Sequence, residues 1–382
     1  GSSSDSITAQ TLRDFFPTTA STAGPNLSKI IRFSLASDHA FMIGQKSWLR
    51  FTLKNPSSSE VINLSGPVTN LFTTCKVYAS GQLVEDGAYI NRQVEMMRKF
   101  QSNEAKTFES IYEGHADQQI GTNAERTYCI PMAQLSGLFA SDKAWPLKLS
   151  SVVVELQCAP AAEALNLGGT TVTYEIHQPV LCATLATLDP EVMESIMDHV
   201  LTNNKSIPVV LPKTYFTVRA AVTSQGSLNL NTSRALSRVS AAILTFSNSA
   251  DNIATTFRKP NSDSFSAQIR LDGVNYPDQA IESKEQAIMV TASGLDMFGA
   301  GGVKYSSPSI DPTTWLGQTA AGAYILRVDL QKNAQHLFTG ADMRNGGLCT
   351  AILRNYVADE VFITLEHTTL VECGVQGVTV YS

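Results

Sequence analysis

The side chains that could bind a metal are spread over the whole chain rather than grouped. The six histidines are His39, His115, His177, His199, His336 and His367. His177 and His367 alternate in phase with the polar residues of predicted strands, so we expect both to face solvent. A metal site would need further ligands from distant parts of the fold. The sequence therefore predicts no metal-binding residues.

The densest group of carboxylates lies on one predicted helix. Glu191, Glu194 and Asp198 recur at the spacing that places side chains on one helix face. A carbohydrate-processing enzyme would instead need paired carboxylates near convergent aromatic side chains. The tryptophans are not clustered in the sequence; they are Trp48, Trp145 and Trp315. We interpret the acidic face as a solvated or interface surface rather than a catalytic cluster.

No motif for covalent, metal or phosphate chemistry occurs. The chain contains no Gly-x-Ser-x-Gly, His-Glu-x-x-His or Gly-Lys-Ser/Thr sequence. Gly299–Gly302 is rich in glycine but lacks the lysine of a phosphate loop, so we predict a flexible connection. Met96, Met97 and Met289 are predicted to fill gaps in the core. These observations predict no catalytic residue, no cofactor-binding residue and no cofactor, so we expect that the chain is not an enzyme.

The cysteines form no pattern of a redox or metal site. They are Cys75, Cys129, Cys158, Cys182, Cys349 and Cys373, and no two of them form a Cys-x-x-Cys pair. In a chain of 382 residues this distribution predicts free, mostly buried thiols in a protein made in a reducing compartment.

The charge pattern argues against direct genome binding. The formal net charge is −6, and the cations are spread thinly along the sequence with no basic arm at the start. We therefore predict no tight, direct binding of nucleic acid. Charged residues make up only 16%, against about 25% in ordinary soluble domains. That deficit is typical of extensive protein–protein contact, or simply of a β-rich chain full of Ser, Thr and Asn. No apolar run approaches the length of a membrane span.

Alternation of apolar and polar residues dominates the chain and predicts antiparallel β-sandwiches. In 48–54, Leu49, Phe51 and Leu53 share one face and the intervening residues share the other. The same alternation recurs in four further segments, which are 152–158, 172–177, 324–330 and 361–366. Each of these strands is expected to present one apolar face to a core and one mostly polar face to solvent.

Helix signals are few and short, and three helices are predicted. The first lies near 90–100, where Ile90, Val94 and Met97 mark one face. The second follows Ser283, which forms a capping box with Gln286. The third is capped by Asp189, has Pro190 in its first turn and ends near Asn203-Asn204; its apolar face contains Val192, Ile196 and Val200.

A weak internal repeat relates the two halves of the chain. Ser80-Gly81 and Asp272-Gly273 are tight-turn dipeptides that lie about half a chain apart. Each is preceded by a strand and followed by a short strand, an acidic residue and a helix. A turn-rich segment then follows, from about 101 to 142 in the first half and from about 294 to 322 in the second. The repeat predicts two copies of one β-sandwich with insertions at the same position.

The repeated segments resemble the double jelly-roll major capsid proteins, in particular those of polinton-like viruses, adintoviruses and virophages. The similar segments are Val77–Met97, Leu271–Glu285 and the strand Trp48–Leu53. The order of strands extends the resemblance to most of the chain. The resemblance implies an all-β fold of two tandem eight-stranded antiparallel jelly rolls with a few short helices. The turn-rich segments are modest in length, so large outer towers are not expected.

The resemblance also implies a structural role in a virion. We expect homotrimers with a pseudo-hexameric outline that tile an icosahedral shell around a DNA genome, with penton and minor capsid proteins as further partners. The predicted division of the chain is an N-terminal arm over 1–26, a first jelly roll over 27–187, a linker helix over 188–206 and a second jelly roll over 207–382. The alternative is a carbohydrate-binding or carbohydrate-processing protein with two β-sandwich domains.

Overall fold

A computed structural model gives the fold. It describes residues 7–38, 40–101, 103–113, 119–168, 171–222, 226–258, 265–295, 298–299, 302–303, 324–330, 340–344, 347–356 and 358–382. Strands account for 51% and helices for 19% of the structure, so the predicted scarcity of helix is confirmed. The chain divides into two compact units. The first comprises Gly1–Val94, Glu109–Thr214 and Thr369–Tyr381, and the second comprises Glu95–Phe108, Tyr215–Thr368 and Ser382.

The first half of the chain contains twelve named strands among its described residues. They are β1 Ile7–Phe15, β2 Thr22–Ala23, β3 Ile30–Leu35, β4 Ala40–Lys54, β5 Ile62–Asn63, β6 Phe72–Ala79, β7 Gln82–Ala88, β8 Gln119–Ile120, β9 Glu125–Pro131, β10 Trp145–Pro146, β11 Val152–Cys158 and β12 Glu175–Leu188. The helices are a 3-10 turn at Val68–Leu71, then α1 Ile90–Lys99, α2 Asn103–Glu113, α3 Met132–Leu135, α4 Gly137–Ala140, α5 Ala161–Ala164 and α6 Pro190–Leu201.

The second half repeats this plan. Its described elements are β13 Ile207–Ala221, β14 Gly226–Thr232, β15 Val239–Ser247, β16 Ser266–Leu271, β17 Val274–Ile281, α7 Lys284–Gly294, β18 Phe298–Gly299, β19 Gly302–Val303, β20 Leu326–Asp329, β21 Cys349–Tyr356, β22 Glu360–Gly374 and β23 Gly377–Tyr381.

The strand orders of the two halves are identical. In the first half, one sheet has the order β1-β12-β4-β10 and the other has the order β3-β11-β6-β7. In the second half the orders are β13-β22-β15-β20 and β14-β21-β16-β17. When these eight strands of each half are counted along the chain, both halves have the sheets 1-8-3-6 and 2-7-4-5, the double Greek key of a jelly roll. The predicted fold class, a double jelly roll, is confirmed.

The repeated hairpins are built by the same backbone geometry. Ser80 and Gly81 have φ of 48° and 80°, and Asp272 and Gly273 have φ of 47° and 82°. Two successive residues with positive φ define the tight turn whose twist matches that of the flanking strands, and glycine adopts this conformation at low cost. β6 and β7 pair across the first turn, and β16 and β17 pair across the second. The structure therefore confirms the repeat on which the duplication was predicted.

Each jelly roll contains its own aromatic core, and the two cores are alike. In the first, Phe51 lies edge-on to Phe72 with ring centroids 5.7 Å apart and planes at 88°. In the second, Phe246 lies edge-on to Phe265 at 6.0 Å and 90°. Each central phenylalanine also contacts a tilted tyrosine ring at 6.3 Å or 6.1 Å; these tyrosines are Tyr128 and Tyr324. The edge-on arrangement is the favoured packing of aromatic quadrupoles.

The three predicted helices are confirmed as α1, α7 and α6. The Ser283 hydroxyl accepts a hydrogen bond from the Gln286 N–H at the start of α7. The Asp189 carboxylate accepts from the Glu191 N–H at 3.0 Å, and Pro190 occupies the first position of α6. Side-chain caps of this kind satisfy N–H groups that have no partner inside the helix.

The predicted N-terminal arm over 1–26 needs correction at β1. Ile7–Phe15 pairs in antiparallel fashion with β12, from Ile7 opposite Leu188 to Phe15 opposite Leu181. Every residue of β1 except Phe15 is exposed, so the strand has no buried face that would produce an alternating pattern. Its partner lies about half a chain away, which sequence reasoning did not detect.

The polar strand face predicted for the second jelly roll is present in β22, but it is buried rather than exposed to solvent. All nine residues of β15 are buried, and so are the first ten residues of β22. Leu326 and Val328 are buried as predicted, but Arg327 between them is buried too. Polar residues on both sides of this sheet are covered by tertiary packing, which the local alternation does not reveal.

The predicted turn-rich insertions lie at equivalent positions, between the fifth and sixth strands of each roll. The first is not simply turn-rich, because it contains α2, β9 and the short helices α3 and α4. Most of the second, including part of Gly299–Gly302, lies outside the described residues. His39, His115, Trp315 and His336 also lie outside them.

Candidate assembly surface

The candidate functional surface is the outward side of the larger sheet in the first jelly roll. Leu49, Phe51 and Leu53 of β4 are at most 1% exposed and fill the core. Because successive side chains of a strand point to opposite sides, Trp48 and Arg50 lie on the outward side.

Strand register aligns neighbouring residues on this side. One row of residues crosses four neighbouring strands. In order, it contains Asp14 of β1, Cys182 of β12, Trp48 of β4 and Pro131 of β9. Two residues further along β4, Arg50 is opposite Val180 of β12 on one side and opposite Cys129 of β9 on the other. We call this surface the outer face; its residues are Leu12, Asp14, Phe16, Lys46, Trp48, Arg50, Cys129, Pro131, Val180, Cys182 and Thr184.

The outer face is unusually apolar for the solvent side of a sandwich. Leu12 is 54% exposed and Phe16 is 68% exposed, and the half-buried Trp48 lies between β12 and β9. Two concavities indent the surface. One, of about 610 Å³, is lined by Phe16, Arg50 and other residues, and the second, of about 550 Å³, is lined by Leu12, Lys46 and Trp48 among others. Tryptophan and arginine around an apolar centre are the residues that dominate protein–protein interfaces.

The outer face contains two cationic side chains, Lys46 and Arg50, and one nearby carboxylate, Asp14. The Arg50 guanidinium lies 3.5 Å from the Asp14 carboxylate, and both side chains are at least 40% exposed, so this pair contributes little to stability. The Lys46 ammonium donates to the side-chain oxygen of Gln10 at 3.2 Å. Burial, and then Asp14, raises the pKa of the Cys182 thiol to about 12, so this thiol is uncharged at neutral pH.

The three histidines that the structure describes do not form a site. His177 Nε2 lies 2.8 Å from a carboxylate oxygen of Glu175, its neighbour on the same strand. His367 was predicted to face solvent but is only 7% exposed, because β22 is covered on both faces. His199 is exposed on α6. In the part of the chain that the structure describes, no group of three or more His, Cys, Asp or Glu side chains could hold a metal.

Several carboxylates in the interior of the fold were not singled out from the sequence, among them the half-buried Glu85 and the buried Glu366, and both of these have structural partners. Glu85 accepts hydrogen bonds from the Ser136 hydroxyl at 2.6 Å and the Gly137 N–H at 2.8 Å. Burial raises the pKa of Glu85, and these hydrogen bonds oppose the increase. Glu366 forms a buried ion pair with Arg327 at 2.9 Å, and both residues are less than 10% exposed. The partners of both carboxylates give them a structural role.

The other residues singled out from the sequence are core or surface residues. Trp145 is buried and donates its indole N–H to the carbonyl of Ser150 at 3.0 Å. Met96 is buried in the second core, and Met97 packs against that core as predicted. Met289 is 56% exposed, so its predicted core role is wrong. All six cysteines are free, five are buried and Cys129 is half-buried.

The acidic residues of α6 are exposed to solvent. Glu191, Glu194 and Asp198 lie on one side of the helix, and Val200 on another side is fully buried. No described helix is long and apolar enough to cross a membrane.

The sequence and the fold were compared with those of known proteins. No protein-family description and no curated protein matches the sequence. Among solved structures, the chain is similar to PBCV-1 VP54, fitted into a reconstruction of the virophage Sputnik, with a TM-score of 0.64 and 10% identity over 100% of this chain and 99% of that chain.

Two further solved structures share the fold. One is a chain from the structure of the Sputnik virophage, with a TM-score of 0.59 and 9% identity over 99% of this chain and 89% of that chain. The other is the Faustovirus major capsid protein, with a TM-score of 0.61 and 8% identity over 95% of this chain and 90% of that chain. At 8–10% identity the likeness establishes the fold alone. The predicted resemblance to double jelly-roll proteins is confirmed for the fold.

Proposed function

We propose that this chain is the major capsid protein of a DNA virus, a structural protein of the virion shell. The observation that carries the proposal is the duplicated 1-8-3-6 and 2-7-4-5 topology, which spans the chain from β1 to β22. Its likeness to PBCV-1 VP54 and to the Faustovirus major capsid protein supports the same role.

The duplication suggests how the subunit assembles. A homotrimer of a chain with two similar jelly rolls has six similar lobes, so it can occupy a six-coordinated position in an icosahedral shell with only three chains. Closed cyclic symmetry of this kind is the usual form of homo-oligomers. The exposed apolar residues of the outer face supply surface that such a trimer, or its contact with neighbouring capsomers, can bury.

The topology supports a proposed division of the chain. We propose one jelly roll from β1 to residue 187 and a second over 207–382, joined by the linker segment 188–206 that contains α6. The proposed partners are other copies of the chain, penton and minor capsid proteins; with a net charge of −6, no tight direct contact with the genome is proposed.

The proposed role requires no catalytic residue and no cofactor. The carbohydrate alternative would require accessible paired carboxylates, whereas the half-buried Glu85 and the buried Glu366 have structural partners. Structural comparison gives that alternative no support.

Light scattering coupled to size exclusion, followed by negative-stain microscopy, tests the proposal. We expect a particle with three times the mass of the 41.2 kDa chain and a hexagonal outline. Co-expression with penton and minor capsid proteins should yield closed shells. A monomer at micromolar concentration that binds a glycan on an array would contradict the proposal.

A further inference from the structure

We propose that the outer face of one copy is the docking surface for helix α6 of a second copy. This inference rests on the proposed function, since it requires that copies of the chain assemble. The two surfaces that would meet between copies are the outer face and α6.

The outer face needs a partner because of its composition. Leu12 and Phe16 expose more than half of their surface, and Trp48 is half-buried beside them. An apolar surface of this kind next to two indentations is a feature of binding surfaces rather than of solvated sheet faces. Lys46 and Arg50 border one indentation each, so a partner must offer negative charge at two points along β4.

Helix α6 carries the matching charges. Its exposed side presents Glu191, Glu194 and Asp198, and the same side ends at Leu201, which is 54% exposed. Between Asp189 and Lys205 the sequence contains no lysine or arginine, so no cation on the helix itself compensates these carboxylates. The helix therefore offers both an acidic row and an apolar end, as a helix bound in a groove does.

The acidic row is unfavourable for the isolated helix. Glu194 and Asp198 are four residues apart, where like charges repel. Asp198 also lies in the second half of α6, toward the negative end of the helix dipole. A cationic surface of a second copy would remove both disadvantages.

The spacing of the two rows is compatible. Lys46 and Arg50 are separated by at most about 13 Å along an extended strand. Glu191 and Asp198 are separated by about 10 Å along a helix. The long side chains of lysine and arginine can span the difference.

Because the outer face and α6 are different surfaces, the contact joins unlike patches of identical chains. Such contacts form a ring when the rotation closes, as a trimer requires. Both surfaces belong to the first compact unit, so every copy would offer one of each.

A charge-swap experiment on the full chain tests the pairing. We expect Arg50→Glu and Glu194→Lys each to weaken self-association at least tenfold, as measured by mass photometry over a dilution series. The chain that carries both substitutions should recover most of the loss, since opposite charges meet again. Arg32→Glu is the matched control: Arg32 is also exposed and paired with one carboxylate, but it lies on β3 of the other sheet, so we expect no weakening.

A crosslinking experiment gives a readout that does not depend on association strength. Both crosslinking chains carry Cys129→Ser, because the half-buried native thiol of Cys129 lies opposite position 50 and would react itself. In this background the chain with Arg50→Cys and Glu194→Cys should yield covalent dimers and trimers with a short bis-maleimide, and the chain with Arg32→Cys and Glu194→Cys should not. Circular dichroism of each variant verifies that it is folded; the positions that receive a cysteine are exposed, so their replacement leaves the core intact.

The outcomes separate this inference from the proposed function. A wild-type chain that stays monomeric overturns both. A wild-type trimer that both reversals leave intact overturns only the inference. The third outcome is that each charge reversal breaks the trimer, the double variant does not recover it and the cysteine pair gives no crosslink. In that case α6 does not bind the outer face, and the inference is wrong.

Discussion

His367 makes the second jelly roll sensitive to acid. This residue of β22 is only 7% exposed. Burial, and then the charge of Arg234, lowers the pKa of His367 to about 4, although Glu366 acts in the opposite direction. In the unfolded chain the imidazole titrates near pH 6.5.

The direction of the effect follows from proton binding. Between pH 6.5 and about 4 the unfolded chain binds a proton on His367 and the folded chain does not, so the free energy of unfolding decreases as the pH falls. Above pH 6.5 the residue has no effect of this kind. At pH 4.5 these pKa values correspond to a loss of about 2–3 kcal/mol relative to pH 7.5.

The His367→Gln variant removes this titration and keeps a polar side chain. Urea denaturation followed by circular dichroism at pH 7.5 and pH 4.5, at one fixed protein concentration, gives the change of unfolding free energy for each chain. We expect the change to be about 2–3 kcal/mol smaller in the variant than in the wild type. His199→Gln makes the same substitution on an exposed helix and controls for the loss of an imidazole. If wild type and His367→Gln lose equal stability between the two pH values, the reasoning is refuted.

Three further predictions follow from the core and the turns. Gly81→Ala and Gly273→Ala should each lower the free energy of unfolding by about 1–2 kcal/mol in denaturant titrations. Both glycines have positive φ, and no atom lies close enough to clash with the new Cβ, so the cost is that of the backbone conformation alone. Equal stability of variant and wild type would contradict the assigned turns. Cys129 should be alkylated first in the native chain, since the other five thiols are buried, which mass spectrometry of timed digests can check. Arg327→Met should cost about 3–5 kcal/mol by leaving Glu366 charged and buried, and adding Glu366→Leu should recover much of it; a double variant no more stable than the single one would contradict this.

The parts of the fold that sequence reasoning found are those encoded locally. The alternation of Leu49, Phe51 and Leu53 identifies a strand because it depends only on the pleat. The Ser80-Gly81 turn and the Asp189 cap are also local, since each is satisfied within a few residues. These signals were enough to predict two copies of one β-sandwich, and the resemblance to the capsid proteins implied that each is a jelly roll.

The candidate surface could not be found in this way, because long-range register creates it. Asp14, Cys182, Trp48 and Pro131 come from four segments that only the pairing of β1, β12, β4 and β9 aligns. β1 itself has no buried face to indicate it apart from Phe15. The solvent exposure predicted for His367 was wrong for the related reason that the outward side of a strand can be covered by elements distant in sequence.

The two jelly rolls differ most on the outward side of the same sheet, and this difference has a physical explanation. The edge-on phenylalanine pairs agree within 0.3 Å and 2°, because a close-packed core accepts few alternative arrangements. No such restriction applies outside the core. There the first roll exposes Arg50 and Leu12, whereas the second buries a polar network in which the Thr217 and Thr364 hydroxyls lie 2.9 Å apart and Glu366 pairs with Arg327. A duplicated domain with a constant core and two different outward faces can use one face for internal stability and leave the other free for a neighbouring molecule, which is the combination that a shell subunit needs.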